Sequence, residues 1–554
     1  LSCAPVAAAA PGAAGVFHVH FNALSDARSP ALYKYPFMRL VMAPPLEIEN
    51  LLPYPVHACV IDRSAGRKWV GTVARGGVAP VHAVQPGHLV LLTLRIPDAG
   101  FETCEGAIIE TSDEDEFPVD EAVAVADARG ARLALRLHRM DIPQTGGRCR
   151  RISVFAPYVL VNRTGLPLNY SSKGLLKGVA AVAGQGHGHG QGGGRGGPLM
   201  FSFGGYDLKN RALVRVGDGE WSRPLSFDAL GSAAECTIPA ADGLSDVHLG
   251  VAIEPGRGRY SHTRVVAFTA RYVVSNLAGI ALQCRVPGQT AAAPATVAAG
   301  ARLELHTLPR SRRRLLAVAC AGGGPGAPAW SEPLSIDEVA RVHLRVPLPR
   351  DAGNGGEMLL RVDVVLEGAS LFVVLQREER GWPYRIENRA AEDAVVWQHV
   401  DRGEPLRRYA VPAGRDLDYA WDQPTAEAKQ LVVSVRGATR RVSLLEIGEQ
   451  QPLAYAANAA VGIEVAADGA RQVLRLAPVA ARGLRASDDR LDALDAAPER
   501  TSLVVRLALE GGIGVSLISR HVREILFATL SDVEVRWTDA ATSQTLRVAV
   551  RWLQ

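Results

Sequence analysis

The side chains that could do chemistry are few in this chain of 554 residues, and none stands in a common catalytic pattern. His187 and His189 could hold a metal ion, but a flexible glycine-rich stretch (183–198) cannot preorganise the four ligands of a zinc site. The same stretch contains G-x-G-x-x-G, which cradles phosphates only between a strand and a helix, and both of its flanks predict loop. The sequence has no P-loop, Gly-x-Ser-x-Gly or His-Glu-x-x-His motif. We therefore expect no metal, no cofactor and no catalytic residues.

Arginine supplies the densest local charge, in a run made of Arg310, Arg312, Arg313 and Arg314. Such a run could bind phosphates, including the headgroups of anionic lipids, or an acidic partner. A solvated hairpin tip is the favoured interpretation, because no aromatic residues alternate with the arginines as base stacking requires. The whole chain carries 61 basic and 57 acidic residues, and this balance gives no field that would attract nucleic acid. We expect no nucleic-acid partner.

Asparagine marks a repeat along the chain. Four strand-like runs each end in an asparagine that is followed by small or turn residues and then by a second apolar run. These asparagines are Asn50, Asn162, Asn276 and Asn388. Their spacings of 112, 114 and 112 residues are hard to obtain by chance in a sequence that is poor in asparagine. The spacing predicts repeats of about 112 residues.

Two further landmarks follow nearly the same period. A Trp-Ser-x-Pro motif begins at Trp221 and again at Trp330, an offset of 109 residues. A looser landmark is a turn that ends in glycine and precedes a strand, which we place at Pro86-Gly87, Ala299-Gly300 and Ala413-Gly414. These landmarks bring equivalent elements of neighbouring repeats into register.

Strand signals dominate within each repeat. Leu133, Leu135 and Leu137 alternate with smaller or polar residues, and this period of two is typical of β-strands. About seven short strands per repeat, separated by glycine and proline turns, predict a β-sandwich. The predicted fold class is all-β, with tandem β-sandwich repeats in an elongated, arched array. The predicted segments are an N-terminal lead-in (1–36), four β repeats (37–150, 151–264, 265–377 and 378–499, the last with a divergent insertion that could include a degenerate fifth unit) and a C-terminal β repeat (500–554).

Each repeat asparagine has a structural interpretation. Asparagine tolerates positive φ and hydrogen-bonds main-chain groups a residue or two away, so at a strand end it can fix a tight turn and satisfy buried amides. We expect this folding role to dominate. The alternative, in which the same turn supports a binding edge, is compatible with it.

Cysteine usage and hydropathy bound the environment of the protein. The seven cysteines stand singly without CxxC pairs, and a large fold needs no disulfide staples, so we expect a cytosolic protein. No apolar run approaches the roughly 18–20 residues of a membrane span, which predicts no membrane-spanning segment. The start at Leu1 and the apolar end at Trp552-Leu553-Gln554 predict a piece of a longer protein.

Several motifs together resemble one known family. They are the run 157–168 (PYVLVNRTGLPL), the Trp-Ser-x-Pro motif at Trp221, the strand 271–276 (RYVVSN), the segment 419–424 (YAWDQP) and the closing 542–546 (TSQTL). Over nearly the whole chain they are similar to the adaptor-binding domain of the vacuolar protein sorting thirteen lipid-transfer family. The resemblance implies a non-enzymatic module of a large bridge-like protein that moves phospholipid between organelles.

The resemblance also implies a partner and a place of action. In that family, six β-rich repeats each carry a marked asparagine, and organelle-resident adaptors dock on the C-terminal repeats through short Pro-x-Pro motifs. By position the marked asparagines are Asn50, Asn162, Asn276 and Asn388, and Ser519 stands where a later asparagine is expected. The resemblance implies a monomer that is cytoplasmic and peripheral at organelle membrane contact sites.

The physics of such docking favours an open sheet edge. A Pro-x-Pro peptide is held extended at little entropic cost, and it can add a strand to an edge while its prolines fill apolar pockets. Strand-like segments of the last repeat make Phe527, Val533, Val535 and Trp537 our candidates for the pocket walls. The alternative is an ordinary core role, since aromatics on alternating strands usually face the interior.

Two other functions stay open at this point. One is a carbohydrate-active β-sandwich protein, although the sequence offers no aromatic-rich sugar platform. The other is direct binding of anionic lipid by the arginine run at 310–314.

Overall fold

The computed structural model describes most of the chain as β-structure. The described residues are 2–3, 17–25, 38–111, 120–128, 130–172, 197–203, 210–228, 231, 233–289, 293–311, 313–321, 328–348, 356–379, 381–400, 407–426, 429–456, 459–469, 471–479, 501–509, 513–518, 524–540 and 544–553. They form 45 strands and two short 3₁₀ turns, Pro97–Ala99 and Gly258–Tyr260, so the all-β prediction is confirmed. Within this part of the chain no helix has the length and apolarity that crossing a bilayer requires.

The chain divides into two compact units. One comprises Leu1–Trp382 with Ala420–Glu427, and the other comprises Pro383–Tyr419 with Ala428–Gln554. The boundaries of the repeats and their arched arrangement stay predictions. The glycine-rich residues 183–196, most of the divergent insertion of the fourth repeat and Ser519 lie outside the described residues.

The first unit begins with two short strand pairs, followed by a sandwich that we call repeat 1. The leading strands are β1 (Ser2–Cys3), β2 (Phe17–His18), β3 (His20–Ser25) and β4 (Met38–Ala43). Repeat 1 contains β5 (Leu46–Asn50), β6 (Val56–Asp62), β7 (Arg67–Val73), β8 (Val78–Val81), β9 (Val90–Arg95), β10 (Phe101–Cys104), β11 (Ala107–Glu110), β12 (Asp120–Asp127), β13 (Arg132–Asp141) and β14 (Arg150–Phe155). Its two sheets have the strand orders β10-β12-β13-β14-β5-β8 and β11-β9-β6-β7.

Two more sandwiches complete the first unit. Repeat 2 contains β15 (Tyr158–Asn162), β16 (Leu168–Ser172), β17 (Leu199–Phe201), β18 (Arg211–Val216), β19 (Leu225–Ser226), β20 (Ala233–Pro239), β21 (Ser245–Pro255) and β22 (Arg264–Ala270). Repeat 3 contains β23 (Tyr272–Leu277), β24 (Leu282–Arg285), β25 (Ala295–Val297), β26 (Arg302–Leu305), β27 (Thr307–Pro309), β28 (Leu315–Cys320), β29 (Leu334–Ser335), β30 (Ala340–Pro347), β31 (Glu357–Glu367) and β32 (Ser370–Arg377). Their main sheets run β17-β15-β22-β21-β20 and β26-β23-β32-β31-β30.

The second unit contains a fourth sandwich and one further sheet. Repeat 4 contains β33 (Tyr384–Asn388), β34 (Ala394–Gln398), β35 (Tyr409–Val411), β36 (Asp416–Tyr419), β37 (Gln430–Val435), β38 (Ala438–Ser443), β39 (Gly448–Ala456), β40 (Ala459–Asp468) and β41 (Arg471–Pro478). The further sheet, which we call the C-terminal sheet, contains β42 (Thr501–Leu509), β43 (Ile513–Ile518), β44 (Glu524–Ala540) and β45 (Gln544–Leu553).

Apolar residues at alternate strand positions fill the space between the two sheets of each sandwich. In β13 the side chains of Leu133, Leu135 and Leu137 are all buried, as their period of two predicts. They belong to one cluster with residues from β6 and β9 of the opposite sheet. Repeats 2 and 3 have separate clusters of the same kind. Each repeat of the first unit therefore has its own hydrophobic core.

One strand pairing distinguishes the four repeats from an ordinary antiparallel sandwich. The first strand of each repeat lies parallel to its last strand, in the pairs β5–β14, β15–β22, β23–β32 and β33–β41. The other described pairings within the repeats are antiparallel. Each first strand carries its marked asparagine at or near its end. The parallel pair therefore closes every repeat beside that asparagine.

Repeats 2 and 3 are joined through their main chains. β27 of repeat 3 extends the sheet of repeat 2 by pairing with the start of β21. The amide of His248 donates to the carbonyl of His306 at 2.8 Å. Gly250 on β21 lies so close to the turn before β32 that an added Cβ would collide with the carbonyl oxygen of Ala369. This junction has no space for a side chain.

We expect Gly250→Ala to loosen this junction. The new methyl group must displace main-chain atoms, which costs about 1–3 kcal/mol in a packed interior. Urea denaturation should show the loss, and Gly106→Ala, whose Cβ would meet Thr93 Cγ2 at 3.4 Å and the Leu92 carbonyl oxygen at 3.8 Å, should change little. An unchanged urea midpoint for Gly250→Ala would contradict the tight junction.

Candidate functional site

The marked asparagines organise the same turn in each repeat. The side-chain nitrogen Nδ2 donates to the carbonyl four residues later, at distances of 2.8, 2.7, 2.8 and 2.9 Å for Asn50, Asn162, Asn276 and Asn388. The oxygen Oδ1 accepts the amide two residues later, at 2.9, 3.0, 3.0 and 3.1 Å in the same order. One carboxamide thus closes a tight turn at the end of each first strand.

Three of the asparagines also bond to a neighbouring hairpin. Nδ2 donates to Val73 in repeat 1, to Val297 in repeat 3 and to Val411 in repeat 4, at 3.0, 2.9 and 2.8 Å from the carbonyl oxygens. These three asparagines are almost fully buried. Burial in a filled hydrogen-bond network indicates a folding role, because a buried polar group without partners is costly.

A glycine completes this arrangement. The amides of Gly76, Gly300 and Gly414 donate to the main-chain carbonyl of the asparagine in repeats 1, 3 and 4. All three glycines have φ between +67° and +76°, a region that other residues rarely adopt. The predicted equivalence of Pro86-Gly87 with the later turns is therefore wrong, because Gly76 holds that place in repeat 1.

Asn162 is the exception among the four. It is only half-buried, and its Nδ2 has no described bond to a hairpin carbonyl. Its Oδ1 accepts a second bond, from the hydroxyl of Thr164 at 2.7 Å. The strand that pairs with β15 from the outer side is β17, and residues 173–196 before it lie outside the described residues. Asn162 therefore holds a local turn, with fewer bonds than the other three.

The Trp-Ser-x-Pro motifs have one structural role in both places. The hydroxyl oxygens of Ser222 and Ser331 each accept a main-chain amide at 3.0 Å, from Val214 and Val318. The serine amides in turn donate to the carbonyls of the same two valines at 2.8 Å. An arginine guanidinium lies over each tryptophan ring. The motif is therefore a structural clamp in repeats 2 and 3.

The arginine run joins repeat 3 to repeat 2. Arg310 Nε lies 2.8 Å from Asp246, and Arg314 Nη2 lies 3.0 Å from Glu235. A hydrogen bond from His248, helped by the charge of Arg314, lowers the pKa of Glu235. Arg314 also approaches Asp337. Two of the four arginines of the run are therefore engaged in ion pairs within the protein, and Arg312 lies outside the described residues.

The C-terminal sheet presents an apolar face. Across β42, β44 and β45, Val505, Trp537 and Leu546 form one row and Leu507, Val535 and Val548 form the next. Val505, Leu507, Leu546 and Val548 are 44–66% exposed, and Val535 and Trp537 are half-buried. A continuous apolar surface of this kind indicates an interaction site.

The predicted docking residues differ in their burial and in their strand partners. Val533, Val535 and Trp537 follow one another on one face of β44, and Val533 is buried. The main chain of Phe527 pairs with Ser516, and its side chain lies outside the described part. β44 has partners on both sides at Val533, Val535 and Trp537, so these three residues do not lie on an open edge. At Phe527 the one described partner strand is β43. Within the described part β42, β43 and β45 each pair only with β44, so each has an edge that a peptide could extend, and β45 is the one beside the most exposed side chain of the face, Leu546.

Sequence reasoning missed four members of this face. Val505, Leu507, Leu546 and Val548 lie on the neighbouring strands at the heights of Trp537 and Val535. In the sequence Arg506 separates Val505 from Leu507, and Arg547 separates Leu546 from Val548. This alternation was the available signal, because it puts the apolar residues on one face of a strand, and a single open sheet leaves such a face partly exposed.

Tandem sandwiches that close on one repeated turn, followed in the sequence by an apolar sheet, define a scaffold built from repeats. The family described as "Vacuolar-sorting associated protein 13, adaptor binding domain" matches residues 8–428. The chain belongs to this family.

Similar proteins carry lipid-transfer names. Intermembrane lipid transfer protein VPS13 of Chaetomium thermophilum is 34% identical over 570 residues, covering 97% of this chain and 17% of that protein. Human intermembrane lipid transfer protein VPS13D is 26% identical over 436 residues, covering 75% and 9%. The chain thus spans less than a fifth of either relative.

We expect Asn276→Ser to destabilise the protein more than Asn162→Ser. Serine is shorter and has a single donor, so buried carbonyls in repeat 3 lose their partners, at a cost of about 2–3 kcal/mol, against about 1 kcal/mol at the half-buried site. Urea midpoints of the two variants measure the difference. An Asn276→Ser variant that keeps its stability and loses a binding partner would make the asparagine a recognition residue.

Proposed function

We propose that this domain captures organelle-resident adaptor proteins through short Pro-x-Pro motifs, and so brings a lipid-transfer protein to membrane contact sites. The domain acts without catalysis, as a monomer at the periphery of membranes. Membership of the adaptor-binding family supports the binding role. It also weighs against a carbohydrate-active enzyme.

The open C-terminal sheet is the observation that carries the docking site. An extended peptide added beside β45 would gain main-chain hydrogen bonds, and its prolines would lie over Leu546 and Val548. Val535 and Trp537 would form the floor one strand further in. Because the peptide is short and preorganised, we expect an affinity in the micromolar range, roughly −8 kcal/mol.

A second function is favoured for the same face. The two apolar rows cross three strands of a single sheet, and such a surface suits acyl chains as well as proline rings. The family match ends at residue 428, before this sheet begins. A relative whose match covers 97% of this chain is named an intermembrane lipid transfer protein. The C-terminal sheet could therefore contact transferred lipid.

A charge placed on the apolar face tests the proposal. Leu546→Glu changes an exposed side chain, so folding should persist, and Pro-x-Pro peptide binding measured by fluorescence polarisation should weaken at least tenfold. Leu244→Glu is the matched control, because Leu244 is 77% exposed in repeat 2 and lies far from β45 in sequence. It should bind as the parent does.

The same variants separate the two functions. If Leu546→Glu keeps peptide affinity and loses extraction of a fluorescent phospholipid from liposomes, the face binds lipid and the adaptor site lies elsewhere. Equal peptide binding by the parent and both variants, without any lipid binding, would contradict both functions of this face.

A further inference from the structure

A polar cleft lies at the junction of repeats 1 and 2. Its volume is about 330 Å³, enough for one or two amino-acid residues. Asp120 and Arg136 line it from repeat 1, and Asp228 and His262 line it from repeat 2. The short connection between the repeats, at Phe155, forms part of the same wall.

The wall from repeat 2 is a fixed hydrogen-bonded group. Asp228 Oδ1 accepts bonds from Arg264 Nη1 at 3.0 Å, from the Tyr158 hydroxyl at 3.2 Å and from Asn210 Nδ2 at 3.3 Å. Burial, reinforced by the Asp228 carboxylate, raises the pKa of Tyr158. Asn210 has φ +45°, a conformation uncommon for residues other than glycine. The three hydrogen bonds to Asp228 hold this wall in place. Because Arg264 and Asp228 neutralise each other, the wall carries little net charge.

An aromatic stack forms the adjoining wall. The His262 ring lies 4.4 Å from the His138 ring and 5.2 Å from the Phe155 ring, measured between centroids. His138 Nδ1 lies 2.7 Å from Asp120 Oδ1. Asp120 therefore already has a partner within the cleft.

Arg136 is the lining cation without a partner. It lies on β13 directly opposite Phe155, it is exposed, and no ion pair or hydrogen bond joins its guanidinium to another described residue. An unpaired guanidinium beside these tilted aromatic rings suits a planar carboxylate, which it can bind with two parallel N–H bonds.

We infer that this cleft binds an acidic peptide segment, with an Asp or Glu carboxylate of the partner on Arg136 and its flanking atoms against His262 and Phe155. Charge complementarity selects this occupant. A phosphate dianion would bring two negative charges close to Asp120 and Asp228, and a single unpaired arginine could not offset them. A carboxylate brings one negative charge, which one arginine can balance. The site is separate from the C-terminal sheet and does not rest on the function proposed for it.

Blocked peptides provide the test on the full chain. The probes are acetyl-Ala-Gly-Glu-Gly-Ala-amide, the same peptide with Gln, Lys or phosphoserine at the centre, and inorganic phosphate. Saturation-transfer NMR should show the Glu peptide binding about tenfold more tightly than the Gln peptide, and Arg136→Gln should remove that preference. Arg136→Glu should reverse it, so that the Lys peptide binds best.

Arg132→Gln is the matched control. Arg132 lies on the same strand and is exposed, but it pairs with Glu105 at 3.1 Å outside the cleft lining. This variant should keep the preference for Glu, and all three variants should keep the parent melting temperature. Equal binding of the Glu and Gln peptides, or equal losses in Arg132→Gln and Arg136→Gln, would overturn the inference. Tighter binding of phosphoserine peptide or phosphate would also overturn it, in favour of a phosphate site.

Discussion

The buried asparagine carboxamide is the interaction on which repeats 1, 3 and 4 depend, and repeat 2 keeps a half-buried version of it. Where the first strand ends, the turn, the neighbouring hairpin and the strand itself all present main-chain groups that water cannot reach. A carboxamide offers two donors and an acceptor on a short side chain. In repeats 1, 3 and 4 its nitrogen donates to the turn and to the hairpin, and its oxygen accepts an amide of the turn. Aspartate would lack the donors, and glutamine would be one methylene too long. The requirement for this group explains why one residue type recurs at nearly constant spacing.

The location of the asparagine has a consequence for the tandem arrangement. Because the first strand, which ends at or near the asparagine, pairs with the last strand, each repeat ends beside its own beginning, and the next repeat can start after a short connection. Repeats 2 and 3 use this proximity for direct contact, through β27, Gly250 and the pair between Arg314 and Glu235. Repeats 1 and 2 are also in direct contact, for example through the bond from the Ala134 amide to the Ser202 hydroxyl, and their junction contains a polar cleft as well.

Sequence reasoning reached the features that depend on local pattern. The asparagine turns, the recurrence of the Trp-Ser-x-Pro motif and the period-two strands all follow from residues within one element and its neighbour. The role of the arginine run could not be read in this way, because Arg310 and Arg314 pair with carboxylates 64 and 79 residues earlier. The predicted glycine turn of repeat 1 lies at Gly87, which precedes a strand. Gly76 precedes a strand too, and only the fold shows that Gly76 is the one that bonds to Asn50. The cleft at Arg136 was invisible for the same reason, since it joins two repeats.

Amide hydrogen exchange on Asn388→Ser tests most directly whether the carboxamide holds a whole repeat together. If it does, exchange should accelerate in both strands of the closing pair, β33 and β41, and at the amides of Ala390 and Gly414 that depend on Asn388. Repeats 1 to 3 should exchange as in the parent protein. Acceleration confined to Ala390, with β33 and β41 fully protected, would show that the asparagine fixes only its own turn and would contradict the account.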